Sequence, residues 1–403
     1  MIRRLFLVLP SAALLLCATP AVLGATTTAS PGATTLYAYA AGGATSPTSC
    51  PQTTTTTQQC TLAEALSLVK AGDTVALATP GKAGHYVGNW SVATSDTSSS
   101  TPLTIKPPPG VTNPVLDGNH GKATGCQTKA CNGSVLTIGS KAHVDISGLT
   151  IQNGDNTLTG YGGGAVSNLA GGTLSVSACT FVRNSATDGG AIGNADGGGA
   201  KGSLSVSAST FSANTAQYLG GAIDNGDHGG QGTAVVSGST FSGNNAVHYS
   251  GGAIDNANFG GRGTLRVVAS TFSGNSSGAD GGAIDNGDGS TGTLTVSGST
   301  FSGNSSPAGG AIANGNGSGG AGTLTVSGST FSGNTGTDGG AIDNGDTGTG
   351  TFSVSSTTFS GNTAHSSGGA IDDGDGGGTG VLTVSASTFS GNSATGKNSY
   401  QGP

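Results

Sequence analysis

The stretch TLTVSGSTFSGN, residues 293–304, contains two strands' worth of alternation separated by one glycine. Leu294 and Val296 are apolar while Thr293 and Thr295 are polar, which is the two-residue period of a half-buried strand. Beyond Gly298, Phe301 takes one face and Thr300 and Ser302 the other. The segment GGAI then follows at residues 309–312 and brings a third apolar point, Ile312. Gly, Asn and Ser fill the joints, where the chain has to turn and left-handed backbone angles are needed.

The same phrase returns along most of the chain. Phe181, Phe211, Phe241, Phe272, Phe301, Phe331, Phe359 and Phe389 are spaced by 28 to 31 residues, each with a Thr before it and an Asn three positions after it. The Ile of GGAI recurs at Ile192, Ile223, Ile254, Ile284, Ile312, Ile342 and Ile371. Self-similarity at this period predicts a solenoid, because a single repeat cannot bury its own apolar face and only stacking completes the core. Three strands and three turns per coil of roughly 30 residues make an all-β parallel β-helix, its coils about 4.8 Å apart. The Phe, Leu/Val and Ile columns form the interior, and the Asn after each Phe forms an inward or corner ladder.

Composition alone would point elsewhere. Charged residues are 8 % and glycines number 77 in 403 residues, values typical of a disordered linker; the periodicity overrules them. With 13 Lys+Arg against 20 Asp+Glu, a net charge of −7, and no basic cluster, nucleic acid is excluded as a partner. Residues 1–24 combine Arg3 and Arg4 with the run LFLVLPSAALLLCATPAVLG, the pattern of a cleaved signal peptide and thus of export. No membrane span is expected after its removal. Residues 25–48, rich in Ala, Thr and Gly, read as a flexible lead. A single β-helix domain is expected over 49–392, with a cap and irregular coils at 49–116, transition coils at 117–160, regular coils at 161–392, and a tail at 393–403. Cys50 and Cys60, and Cys126 and Cys131, flank short loops and are expected to form two disulfides in an exported chain. Cys179 sits where later repeats carry Ser and reads as a small, semi-buried thiol. CTLAEALSLVKAGDTVAL, residues 60–77, starts with a Thr61–Glu64 capping box and aligns Leu62, Leu66 and Val69, predicting a short helix that plugs the N-terminal end.

The paired FSGN and GGAI motifs resemble the repeats of polymorphic outer membrane proteins. CTLAEAL followed by GDTVAL resembles the C-S-L-R-E-A cap of secreted bacterial β-helices. The resemblance covers about residues 50 to 392. It implies a right-handed parallel β-helix, located outside the cell or on its surface and adhesive in several members. Family members end in a translocating β-barrel, and none is expected after Phe389.

GGAIDNGD, at residues 220–227, 281–288 and 339–346, raises the question of chemistry. Stacked coils align Asp224, Asp255, Asp285, Ala313, Asp343 and Asp372, expected to face outward, and beside them Asp196, Asp227, Asn258, Asp288, Asn316, Asp346 and Asp375. Ionised carboxylates at coil spacing repel by roughly 1 kcal/mol in water and ~3–4 kcal/mol at an effective dielectric near 20. Two readings offset this: turn-forming Asp and Asn side chains that splay apart, or weak calcium sites on Asp224, Asp227, Asp255, Asp285, Asp288, Asp343, Asp346, Asp372 and Asp375. The phrase fits neither the twelve-residue calcium loop nor the Gly-rich nonapeptide.

No catalytic residue is assigned. Asp372 and Asp373 alternate to opposite faces, and the six histidines share no metal-like spacing. Arg266 near Asp255 and Asp285 is the one candidate base for the alternative reading, a calcium-dependent polysaccharide lyase. The outward Thr column from Thr180 to Thr388 fits strand propensity and stacking. Aromatics suited to sugars are few: Trp90 is the single Trp, and Tyr161, Tyr218 and Tyr249 fall in variable loops. The expected role is structural or adhesin-like, with loops presented to an extracellular protein or glycan surface.

Overall fold

The computed structural model describes residues 32–40, 50, 52, 60–78, 84–93, 101–119, 133–158, 160–374 and 377–396. The expected signal peptide, Cys126, Cys131 and Asp375 lie outside them. Among the described residues three parallel sheets run the length of the molecule. A 12-stranded sheet of mostly long strands extends from Thr35–Ala38 to Thr379–Ser385, an 11-stranded Phe sheet from His85–Val87 to Thr388–Ser390, and a 10-stranded Ile sheet from Trp90–Val92 to Ile371–Asp373. Two-residue ladders such as Asp155–Asn156 on Ser185–Ala186 add a short side between the Phe and Ile sheets. The chain is a parallel β-helix.

Equivalent residues stack on one another without slippage. Leu294 pairs with Leu324, Phe301 with Phe331, and Ile284 with Ile312. Each column stays apolar, with Ala234 and Phe352 in the Leu column and Ile151 before the first Phe, and a register slip of one would turn every core side chain outward. The Phe rings from Phe181 to Phe389 form a continuous stack with centroids 4.6 to 5.0 Å apart and planes within 3° to 11°. From Phe181 to Phe359 they are fully buried, each contributing roughly 1.5–3 kcal/mol.

The glycines of the repeat serve two different needs. Gly298 and Gly303 have φ of +57° and +62° with nothing near a would-be Cβ, so they supply a left-handed angle at each corner. Gly310, the second of GGAI, instead gives room: a Cβ there would fall 2.3 Å from the Gly340 carbonyl oxygen of the next coil.

Polar ladders close the corners. In the expected ladder, Nδ2 of each Asn donates to Oδ1 of the next, from Asn184–Asn214 at 3.0 Å to Asn362–Asn392 at 2.8 Å. A second ladder, not anticipated from the repeat, joins the Asn that ends each Ile-sheet strand: Asn168, Asn194, Asn225, Asn256, Asn286, Asn314 and Asn344, at 2.6 to 2.7 Å. Asp373 accepts the last of these bonds. Cys179 occupies the head of a Ser column; its backbone N–H donates to Ser209 Oγ, and burial pushes its thiol up to about 11.

The helix Leu62–Leu68 carries the expected capping box, with Thr61 and Glu64 bonded reciprocally, and buries Leu62, Ala65 and Leu66. It packs against the strands Thr35–Ala38 and Trp90–Val92. Cys50 and Cys60 are disulfide-bonded. One expectation needs correction: residues 35–38, assigned to a flexible lead, form the first strand of the long sheet, paired from Thr35↔Thr74 to Ala38↔Leu77. Their Ala- and Thr-rich composition hid an alternation in which Leu36 and Ala38 are buried.

Candidate functional site

From Ile192 onward, the inward Ile of each Ile-sheet strand is followed by a residue turned from the core. In register these are Asp224↔Asp255↔Asp285↔Ala313↔Asp343↔Asp372. The alternation is as expected, but the exposure is not: Asp224, Asp255, Asp285 and Asp343 are all 0 % exposed. The turns before and after the Ile sheet fold over its outer face. Asn316, from the turn after the strand, donates to Asp280 in a turn before it (3.3 Å) and to Asp343 (2.8 Å). Ser367, from a turn before the strand, donates to Asp372 (2.9 Å). The result is a sealed acidic seam along one face.

The second column joins this seam. Asp227 and Asn258 are buried, while Asp196, Asp288 and Asp346 are half-buried. Gly193 stands where the following coils carry Asp, and a Cβ there would lie 2.3 Å from Asp196 Oδ2; the Asp196 carboxylate fills the vacant slot. Asp188 and Asp280 also enter the seam, although their loops were read as outward-presenting. The shared signal is an Asp directly before GG in TDGG and ADGG.

Among the described residues no Lys or Arg forms an ion pair with the seam. No donor reaches hydrogen-bond geometry with either oxygen of Asp224, Asp255 or Asp285. Among the described residues the one ion pair is His85–Asp117, at 3.7 Å, on another part of the molecule. Burial first, then neighbouring carboxylates, raises these acids: Asp188 and Asp288 to about 7, Asp343 to about 8, and Asp196, Asp224, Asp255 and Asp285 well above the usual range. The Asn258 amide lies near Asp255 and opposes the shift. Three acids converge most closely: Asp224, Asp227 and Asp255 each place a carboxylate oxygen within 4.8 Å of the other two.

Over the seam's first half lies a strip of rings that sequence order had scattered. Tyr161 meets His228 at 4.1 Å, His228 meets Phe259 at 5.0 Å, Phe259 meets Tyr249 at 5.8 Å, and Tyr249 meets Tyr218 at 5.4 Å. Tyr161, Tyr218 and Tyr249 come from turns before the Ile sheet, His228 and Phe259 from turns after it. Burial depresses the His228 pKa against the pull of Asp227. Tyr161, Phe259, Tyr249 and Tyr218 remain 55 %, 49 %, 45 % and 38 % exposed.

The arrangement expected for lyase chemistry is absent among the described residues. Arg266 is exposed on the long sheet, whereas Asp255 and Asp285 are sealed beyond the Ile sheet. The proximity expected of them does not occur, because consecutive strands of one coil face different directions. Asp372 and Asp373 do point apart, the former accepting from Ser367 and the latter from Asn344.

A family model described as the Chlamydia polymorphic membrane protein repeat matches residues 269–287 and 356–372. The chain therefore carries repeats of that type on a parallel β-helix. None of the curated proteins matches. Among solved structures, a rhamnogalacturonan lyase aligns with a TM-score of 0.38 at 13 % identity, over 83 % of this chain and 75 % of that one. A GH136 lacto-N-biosidase from Eubacterium ramulus aligns with a TM-score of 0.37 at 10 % identity, over 88 % and 67 % respectively. No helix among the described residues is long and apolar enough to cross a membrane.

Proposed function

We propose that the chain is an exported or cell-surface β-helix that binds an extracellular glycan and performs no catalysis. In this reading residues 1–24 direct export and the rod runs from the Thr35–Ala38 strand to the Ser393–Ala394 ladder. The observation that carries the reading is the exposed strip Tyr161–His228–Phe259–Tyr249–Tyr218. Monomeric surfaces seldom expose contiguous rings without a partner. Tyr, moreover, offers an apolar face together with a hydroxyl, a combination that suits the C–H faces and hydroxyls of a sugar. Three coil steps separate the Tyr161 turn from the Tyr249 turn, about 14 Å at strand spacing, which favours an oligosaccharide over a single sugar. The rest of the rod repeats itself, whereas an active site needs unlike groups converging at an accessible point.

The test is retention of the mature chain on a glycan array, followed by affinity electrophoresis through the polysaccharides it selects. Retention should be lost in the Tyr218→Ala/Tyr249→Ala/Phe259→Ala variant, with the circular dichroism spectrum unchanged. If no glycan retains the wild-type chain, the reading fails. Release of new reducing ends or unsaturated products would replace it with an enzymatic one.

A further inference from the structure

We propose that Asp224, Asp227 and Asp255 together hold one divalent cation of the calcium class, enclosed within the seam. Their nearest oxygens lie within 4.8 Å of one another. Calcium binds oxygen at about 2.3–2.6 Å, so ligands on opposite sides of the ion stand ~4.6–5.2 Å apart. The three carboxylates therefore already fit one coordination sphere. Magnesium dehydrates reluctantly and usually keeps several waters, which an enclosed site disfavours. The donor set is all oxygen, which disfavours the softer transition metals.

A second observation is independent of the clustering. Asp224 and Asp255 are 0 % exposed, yet both oxygens of each lack a hydrogen-bond partner. Buried carboxylates in that condition are paired, protonated or metal-bound. Asp227 is already oriented: Oδ1 accepts the backbone N–H of Asn258, while Oδ2 is buried and unpartnered.

Among the described residues, Asp224, Asp227 and Asp255 are the seam acids that converge in this way. Coil by coil, the two columns read Asp224 with Asp227, Asp255 with Asn258, Asp285 with Asp288, and Ala313 with Asn316. The Asp224 and Asp255 coils combine three acids with one amide, next to a coil in which Gly193 leaves its slot to Asp196. Beyond the third coil the first column is broken by Ala313. One ion in the described part of the seam follows from the convergence of these three acids, instead of one per repeat as the regular phrase GGAIDNGD would suggest.

The probe is terbium, a calcium surrogate excited through tyrosine, added to the chelator-treated full mature chain. One saturable site per chain is expected, displaced by calcium and at least tenfold less effectively by magnesium. Asp224→Asn and Asp255→Asn should each abolish it. Asp145→Asn, on the long sheet, should leave it intact. Asn preserves shape and removes charge, and circular dichroism verifies folding. Should either seam variant fail to fold, wild-type stoichiometry and ion selectivity still decide the matter. Absence of a saturable site in the wild type would overturn the proposal and leave the triad neutralised by protons. Persistence of the site in both seam variants would overturn it equally. Neither result bears on glycan retention, which is read separately.

Discussion

Asn304 donates through Nδ2 to Oδ1 of Asn334 at 3.0 Å and to the backbone carbonyl of Phe272 at 3.1 Å. Its own Oδ1 accepts both the backbone N–H and the Nδ2 of Asn275. One fully buried amide thus links the coils on either side of its own. Replacing it with Ala leaves the Asn275 backbone N–H without its acceptor and takes one bond each from the Asn275 amide, which keeps the Phe241 carbonyl, and from the Phe272 carbonyl, at ~1–3 kcal/mol per buried group left unsatisfied. Asn304→Ala should destabilise the rod by about 3 kcal/mol or more in urea unfolding. Asn304→Asp should be at least as damaging at neutral pH, because it removes the donor and buries a charge. A loss below about 1 kcal/mol would mean that water takes the amide's place.

The Phe stack makes a graded prediction. Phe301 has a ring on each side, at 4.8 and 4.7 Å, and is fully buried. Phe389 has one such neighbour, Phe359, at 4.9 Å, and is 46 % exposed. Phe301→Ala should cost about 3–5 kcal/mol, whereas Phe389→Ala should cost roughly half as much or less, in proportion to the area it buries. Urea titrations followed by circular dichroism distinguish the two. Equal losses would show that end coils are covered in solution.

These columns were legible because the interior is repetition: the residue that fills a slot in one coil meets its own kind in the next. Alternation also gave the direction of Asp224 and Asp255 correctly. Their burial was hidden, since it depends on turns that repeat imperfectly. The lids at Tyr161, His228 and Phe259 occupy slots that hold other residues elsewhere, and no period marks them. Asp188 and Asp280 were missed because an Asp before GG occurs in only some coils. The lead strand at Thr35–Ala38 was missed because four residues give too few periods to outweigh composition.

Asp343 gives the seam a pH signature apart from the proposed cation site. Burial raises its pKa to about 8; Asp346, Asp372 and Asp280 add to the shift and the Asn316 amide opposes it. In the unfolded chain the same group titrates near 3.8. Between those values the native state holds a proton that the unfolded chain has released, so stability falls as pH rises through the window. Asp188 and Asp288, raised to about 7, act in the same direction. In chelator the thermal midpoint should be higher at pH 5 than at pH 8. Asp343→Asn, which is neutral throughout, should have little effect at pH 5 and should recover part of the loss at pH 8, on the order of a few kcal/mol at most. Added calcium should shrink the pH dependence further through Asp224, Asp227 and Asp255, since a ligand that binds only the folded state stabilises it. A midpoint that rises from pH 5 to pH 8 in chelator would sink this account and would mean that the seam is ionised and matched by charges of its own.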